Sequence, residues 1–154
     1  MSLRDIYNFI QVDERIATGG QPTAQQLRLA AAEGFRAVVN LLPAHAENAL
    51  REEAGLVTSL GMAYFHIPVE WGDPTEADFT AFEQAMRDLP AGKVLIHCAA
   101  NFRATAFYGL YAMKHLGWSA AQAETLRAPV WQGSDYPVWE EFIQAMRTKF
   151  DGSV

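Results

Sequence analysis

Ahead of three apolar-periodic stretches of this chain a threonine or serine stands three residues before a glutamine or aspartate: Thr23 before Gln26, Thr75 before Asp78 and Ser119 before Gln122. In such a pair each side chain takes up a backbone N–H at the first helical turn, so the pattern marks helix starts. Between these starts lie short apolar runs of strand length, A-V-V-N-L-L at Ala37 to Leu42, A-Y-F-H-I-P-V at Ala63 to Val69 and V-L-I at Val94 to Ile96. Strand and helix alternating at this spacing predict an α/β fold, with a mainly parallel central sheet flanked by helices. Sheets of that kind bind ligands beyond the carboxyl ends of their strands. At 154 residues, half of them hydrophobic, a single domain over residues 1–154 can hold a full-sized core.

The remaining segments fit this plan. Asn8 to Val12 and Arg15 to Thr18 read as short strands about the turn Asp13-Glu14, before Gly19-Gly20-Gln21-Pro22 breaks regularity. Leu50, Ala54, Val57 and Leu60 fall at helical intervals and predict a helix over Glu47 to Leu60, stopped by Gly61. Phe79, Phe82, Ala85, Met86 and Leu89 give the next helix its core stripe. An amphipathic helix is expected over Ala104 to Leu116, a short one from Ser119 to the stop Ala128-Pro129, and a last one through Phe142 and Met146.

A net charge of −6 argues against a basic face for nucleic acid or an anionic membrane, so any anion affinity must be local. The single cysteine excludes an internal disulfide and a multi-cysteine zinc site, and leaves an oxidised Cys98 without a resolving thiol in the chain. His45, His66 and His115 lack metal-ligand spacing, so neither metal nor cofactor is expected. With no apolar run of membrane-spanning length, the expected location is cytoplasmic.

The chemistry concentrates in K-V-L-I-H-C-A-A-N-F-R-A-T, Lys93 to Thr105. A cysteine ending an apolar strand is, alone, a packing residue. Here small residues and a helix start follow it. Unbonded amides and positive partial charge at that helix end favour an anion, and a thiol in such a field, beside an arginine, ionises more easily to the nucleophilic thiolate. Ala99, Ala100, Asn101, Phe102, Arg103 and Ala104 form the expected cradle, with Arg103 gripping two oxygens of a phosphate. Asn101 suits a left-handed position there. The expected partner is a phosphorylated substrate or an inorganic oxyanion.

Residues 97–105 resemble the active-site loop of the cysteine-dependent phosphatases, the protein tyrosine and dual-specificity superfamily, whose pattern is H-C-x5-R-[ST]. In this chain only four residues separate Cys98 from Arg103, while Thr105 keeps its place seven positions after the cysteine. One residue on a helix start is a turn of about 100°, so the guanidinium would approach from a different side. Gly20-Gln21-Pro22-Thr23, Leu27, Leu29, Ala30, Gly34-Phe35 and Val38-Val39-Asn40-Leu41 resemble the opening of a bacterial phosphatase-like family sometimes fused to beta-lactamase-like hydrolases. Leu42 stands where that family often has arginine.

The resemblance implies a phosphomonoesterase working through a phosphocysteine on Cys98, with Arg103 and loop amides on the phosphate. It also implies that Thr105 bonds the sulfur and that His97 holds the loop through backbone hydrogen bonds. Asp73, in Trp71-Gly72-Asp73-Pro74, is the expected general acid by similarity to the Trp-Pro-Asp loop of tyrosine phosphatases, with Glu70 the alternative; Glu76 and Asp78 favour the following helix start. Trp131 and Tyr136 lie in an aromatic-rich connection read as core, with a pocket border as the other role. Two further readings use the same residues: an oxyanion-binding module with weak catalysis, and a sulfurtransferase carrying a Cys98 persulfide, since rhodanese-like enzymes also place a cysteine in a loop before a helix.

Overall fold

In a computed structural model that describes residues 1–151, five strands form one sheet in the order β1-β2-β5-β3-β4. They are β1 Ile10–Gln11, β2 Ile16–Gly19, β3 Phe35–Asn40, β4 Ala63–His66 and β5 Lys93–His97. Only β1 runs antiparallel to its neighbour; every other pairing is parallel, which requires the helical crossovers that the spacing predicted. The helices are α1 Ala24–Ala32, α2 Glu53–Ser59, α3 Glu76–Arg87, α4 Phe102–His115, α5 Ala120–Arg127 and α6 Pro137–Asp151. All three expected capping boxes form, at Thr23, Thr75 and Ser119, each hydroxyl contributing about 1 kcal/mol.

Strand residues alternate between two cores. Val94, Ile96, Ala37 and Val39 face the larger one, with Phe79, Phe82, Phe107 and Trp139 from α3, α4 and α6. Leu95, Val38 and Ala17 face the smaller, with Leu27 and Ala30 of α1 and Val57 of α2. Both faces of the sheet are therefore covered, as a parallel sheet requires.

The strands β1 and β3 depart from their expected ends by up to two residues, and three further elements differ from expectation. The helix expected over Glu47 to Leu60 spans only Glu53–Ser59, because Glu52 sits at φ 58, outside the helical region. Leu50 still packs on the smaller core, but from an irregular segment. The strand expected to reach Val69 ends at His66; Ile67 and Val69 donate onward to the carbonyls of Asn40 and Leu41, while Pro68 between them has no N–H. Lastly, α4 begins at Phe102, which draws Arg103 and Ala104 into its first turn. Among the described residues no helix is long and apolar enough to cross a membrane.

Candidate active site

Successive strand residues point to opposite faces of a sheet, so His97 and Cys98 part at the end of β5. Cys98 joins the larger core with Val94 and Ile96. His97 turns toward α2, where its Nε2 lies 2.6 Å from Glu53 Oε2, both side chains enclosed at 0 % and 3 % exposure. Its Nδ1 lies 3.2 Å from the Cys98 carbonyl oxygen. The ring thus has an acceptor oxygen within reach of each nitrogen. Gln21 Nε2 donates to Glu53 Oε1 at 2.8 Å. Burial pushes the Glu53 carboxyl up, but the hydrogen bond and charge of His97, with the Gln21 bond, outweigh it and hold the group below its usual range. Tyr64, pushed up to about 12 chiefly by burial, accepts from Asn40 Nδ2 at 2.9 Å beside this cluster.

Glu53 is the residue that sequence reasoning missed. Its one signal is position: it lies four residues before Val57 and seven before Leu60, on the apolar side of α2, where a carboxylate needs a partner.

After Cys98 the chain turns its carbonyls outward. The Cys98 oxygen faces His97 Nδ1, the Ala99 oxygen accepts from the Gln21 amide at 2.9 Å, and the Ala100 oxygen accepts from Asn8 Nδ2 at 3.0 Å. A trans peptide places its N–H opposite its C=O, so the amides of Ala99 and Ala100 are turned the other way. The first helical bond of α4 runs from the Thr105 amide to the Asn101 carbonyl, so the amides of Phe102, Arg103 and Ala104 lie ahead of it. Unlike α1, α3 and α5, α4 has no side-chain cap: Asn101 takes φ 71, the left-handed conformation expected of it, and donates its Nδ2 to Asn8 O at 2.7 Å and Thr18 Oγ1 at 3.0 Å.

Gly20 lets β2 approach this loop. A Cβ at Gly20 would lie 2.6 Å from the Ala99 oxygen and 3.1 Å from the Tyr7 oxygen, both backbone atoms. Gly20→Ala is expected to destabilise the fold by about 1–3 kcal/mol, the usual range for overpacking, and urea unfolding measures it. An unchanged midpoint would show that the loop is not clamped here.

Cys98, Ala99, Ala100, Phe102 and Arg103 line one cavity of about 190 Å³, completed by Trp71 and Tyr136. Cys98 is only 1 % exposed, so it forms the floor of this cavity. The one-residue shift of Arg103 therefore leaves it in the same wall as the cysteine. Its Nε and Nη1 are buried without a hydrogen-bond partner among the described residues, and its guanidinium carbon lies 5.5 Å from the Trp71 ring centroid. Burial draws the Arg103 pKa below its ordinary value, against the opposing charges of Cys98 and Glu70.

Thr105 is placed differently from the expected hydrogen bond to sulfur. Its hydroxyl is directed at the carbonyls of Asn101 (2.8 Å) and Phe102 (3.0 Å) and accepts from Trp131 Nε1 at 3.1 Å. It thereby anchors Trp131, which stacks on Phe102 at 5.3 Å. Trp131 is accordingly a buried wall support and Tyr136 a half-buried border of the cavity. Trp71 stacks on Trp139, whose Nε1 donates to the Trp71 carbonyl at 2.7 Å. Asp73 and Glu70 belong to the same loop but are exposed and outside the cavity wall. The Glu70 carboxylate lies 2.8 Å from His45 Nε2, whose pKa it raises, whereas the Asp73 carboxyl has no hydrogen bond among the described residues.

Residues 8–115 match the family model described as "Beta-lactamase hydrolase-like protein, phosphatase-like domain". The beta-lactamase hydrolase-like protein of Xylella fastidiosa is 34% identical over 104 residues, which are 66% of this chain and 24% of that protein. The matched stretch thus spans about a quarter of these curated relatives. A DUF442 protein of Shewanella putrefaciens CN-32, solved as a candidate phosphatase, is 34% identical and superposes with a TM-score of 0.88, covering 96% of each chain. P. aeruginosa TpbA in complex with pTyr shares the fold at a TM-score of 0.71 and 14% identity, covering 98% of this chain and 93% of that one. The family model, covering most of the chain and including the Cys98 loop, and the full-length superposition agree: this chain belongs to the phosphatase-like domain family of the beta-lactamase hydrolase-like proteins.

Proposed function

We propose that this domain hydrolyses phosphomonoesters through a phosphocysteine on Cys98. The observation that carries the reading is that Arg103, with two unpartnered buried N–H groups, shares one small cavity with Cys98 at the uncapped start of α4. A tetrahedral oxyanion is the ligand that satisfies such donors together. In the first step Cys98 Sγ attacks phosphorus, the bond to the ester oxygen breaks, and that oxygen takes a proton. In the second, water attacks the phosphocysteine, gives up a proton to a base, and releases phosphate and the thiolate. Trp71, Phe102 and Tyr136 around the mouth suit a flat aromatic leaving group, in keeping with the pTyr complex of TpbA.

Asp73 is the acid and base in this reading. Its carboxyl is untied, while that of Glu70 is engaged by His45, and Asp73 stands two positions after Trp71, which lines the cavity. Asp73→Asn is expected to lower kcat for an alkyl phosphate by about 10²-fold, the lower range for a general acid, with Glu70→Gln close to wild type. The opposite ranking moves the role to Glu70. The mechanism itself is tested by quenching the protein in acid during turnover of an aryl phosphate and mapping the phosphorylated peptide. A phosphoryl group on the peptide carrying Cys98 is expected; steady turnover in a protein whose Cys98 has been alkylated would overturn the proposal.

A further inference from the structure

A larger cleft, about 450 Å³, opens between α5 and α6 on the far side of Trp131 from α4, lined among others by Arg127, Gly133, Glu140 and Arg147. Arg127 Nη1 and Arg147 Nε are both buried without a hydrogen-bond partner among the described residues. Desolvating a charged donor without replacing its hydrogen bond costs about 1–3 kcal/mol or more, so two such atoms in one cleft need an explanation. Gly133 provides the room: a Cβ there would run into Arg127 Nη1.

We propose that this cleft is a second oxyanion site, distinct from the Cys98 cavity, which takes a phosphoryl group between Arg127 and Arg147. Two acids also line it, Glu124, which holds Arg147 Nη2 at 3.2 Å, and Glu140. A ligand must compete with these carboxylates. A dianionic phosphoryl group, with more charge and more acceptor oxygens, does so better than a monocarboxylate. Charge points the same way, since burial holds Arg127 below its ordinary pKa and Arg147 adds to the lowering, against Glu124 and Glu140.

The cleft is linked to the Cys98 cavity. Arg127 lies 4.9 Å from the centroid of the Trp131 ring, the same ring that stacks on Phe102 and donates to Thr105. A further gap of about 10 Å³ shares Arg127, Ile143 and Arg147 and is walled by Thr105. An anion that draws the Arg127 guanidinium off the indole therefore acts on the residues holding the start of α4.

The test uses Arg103→Ala protein, in which the Cys98 cavity has lost its guanidinium, so that failure of this site and failure of the phosphatase reading are told apart. Inorganic phosphate is titrated at constant ionic strength while the Trp131 Nε1–H and Arg147 Nε–H resonances are followed, with acetate as the comparison anion. Saturable shifts with phosphate and not with acetate are expected. Adding Arg127→Gln and Arg147→Gln together should weaken the phosphate response, read at Trp131 Nε1–H, about a hundredfold or more, with at least one charge-assisted hydrogen bond lost at each arginine. Gly133→Ala, which keeps both charges but fills the space beside Arg127, should weaken it as well. Shifts that never saturate, match those with acetate, or persist in the arginine double variant would overturn the proposal.

Discussion

Replacing Cys98 by serine is expected to lower hydrolysis of an aryl phosphate by at least about 10³-fold, in the range seen when a nucleophile is removed, while leaving phosphate binding nearly intact. The size of the loss follows from where His97 points. In many hydrolases a serine succeeds as nucleophile because a neighbouring histidine takes its proton. Here the adjacent histidine faces the opposite side of the sheet, its ring nitrogens directed at Glu53 and the Cys98 carbonyl, so His97 cannot take a proton from a serine at position 98. A thiol ionises far more readily than an alcohol, so a serine at this position has no comparable anionic form with which to attack. Binding depends on the amides and Arg103, which the substitution leaves in place.

Arg103→Ala should show the complementary pattern, losing phosphate affinity and rate together by about 10²–10³-fold, the usual effect of removing a charge-stabilising donor. The measurements are kcat, KM and phosphate affinity for the three proteins. Serine activity within about tenfold of wild type would remove Cys98 from the mechanism. Phosphate binding without turnover in the wild type would leave an oxyanion-binding module. Sulfur transfer through a Cys98 persulfide calls on the same nucleophile but gives no reason for a desolvated guanidinium with two free donors beside it. Thiosulfate-dependent persulfide formation on Cys98, passed on to cyanide, would reverse that preference.

Short-range signals were the legible ones. The three capping boxes and the left-handed position of Asn101 each depend on a few neighbouring residues and appear where the sequence places them, while the apolar runs give strands whose ends are shifted. The extent of α2 was not legible, because Leu50 has helical spacing with Val57 yet reaches the core from an irregular segment. Nor was the partner of Thr105: Trp131 lies 26 residues along the chain, and only the packing of α4 against the segment before α6 brings them within hydrogen-bond reach. Glu53 and His97 are 44 residues apart and meet across the sheet face. Local patterns thus recover the elements, while the groups packed behind the Cys98 loop depend on tertiary contact.

Glu53→Gln tests that support. Its carboxylate and the His97 ring are sealed together, so removing the charge leaves the imidazole facing a weaker acceptor in a dry site. Stability is expected to fall by about 3 kcal/mol at neutral pH, the lower end for breaking a buried pair because the glutamine amide oxygen can still accept from the ring, or about 6–12 °C in Tm for a domain of this size. The pH dependence carries the signature. The folded-state pKa of Glu53 lies below its unfolded value, so its stabilisation is fully present above the unfolded carboxylate pKa and is lost as pH falls through the folded one. Wild type and Glu53→Gln should therefore differ most near neutrality and converge on acidification, as thermal melts across the acidic range would show. Activity should fall as well, by about tenfold or more in kcat, because a small displacement of the loop degrades alignment at phosphorus. A stability gap that stays constant from neutral to acid would mean that Glu53 packs as a neutral side chain, with no charge behind Cys98.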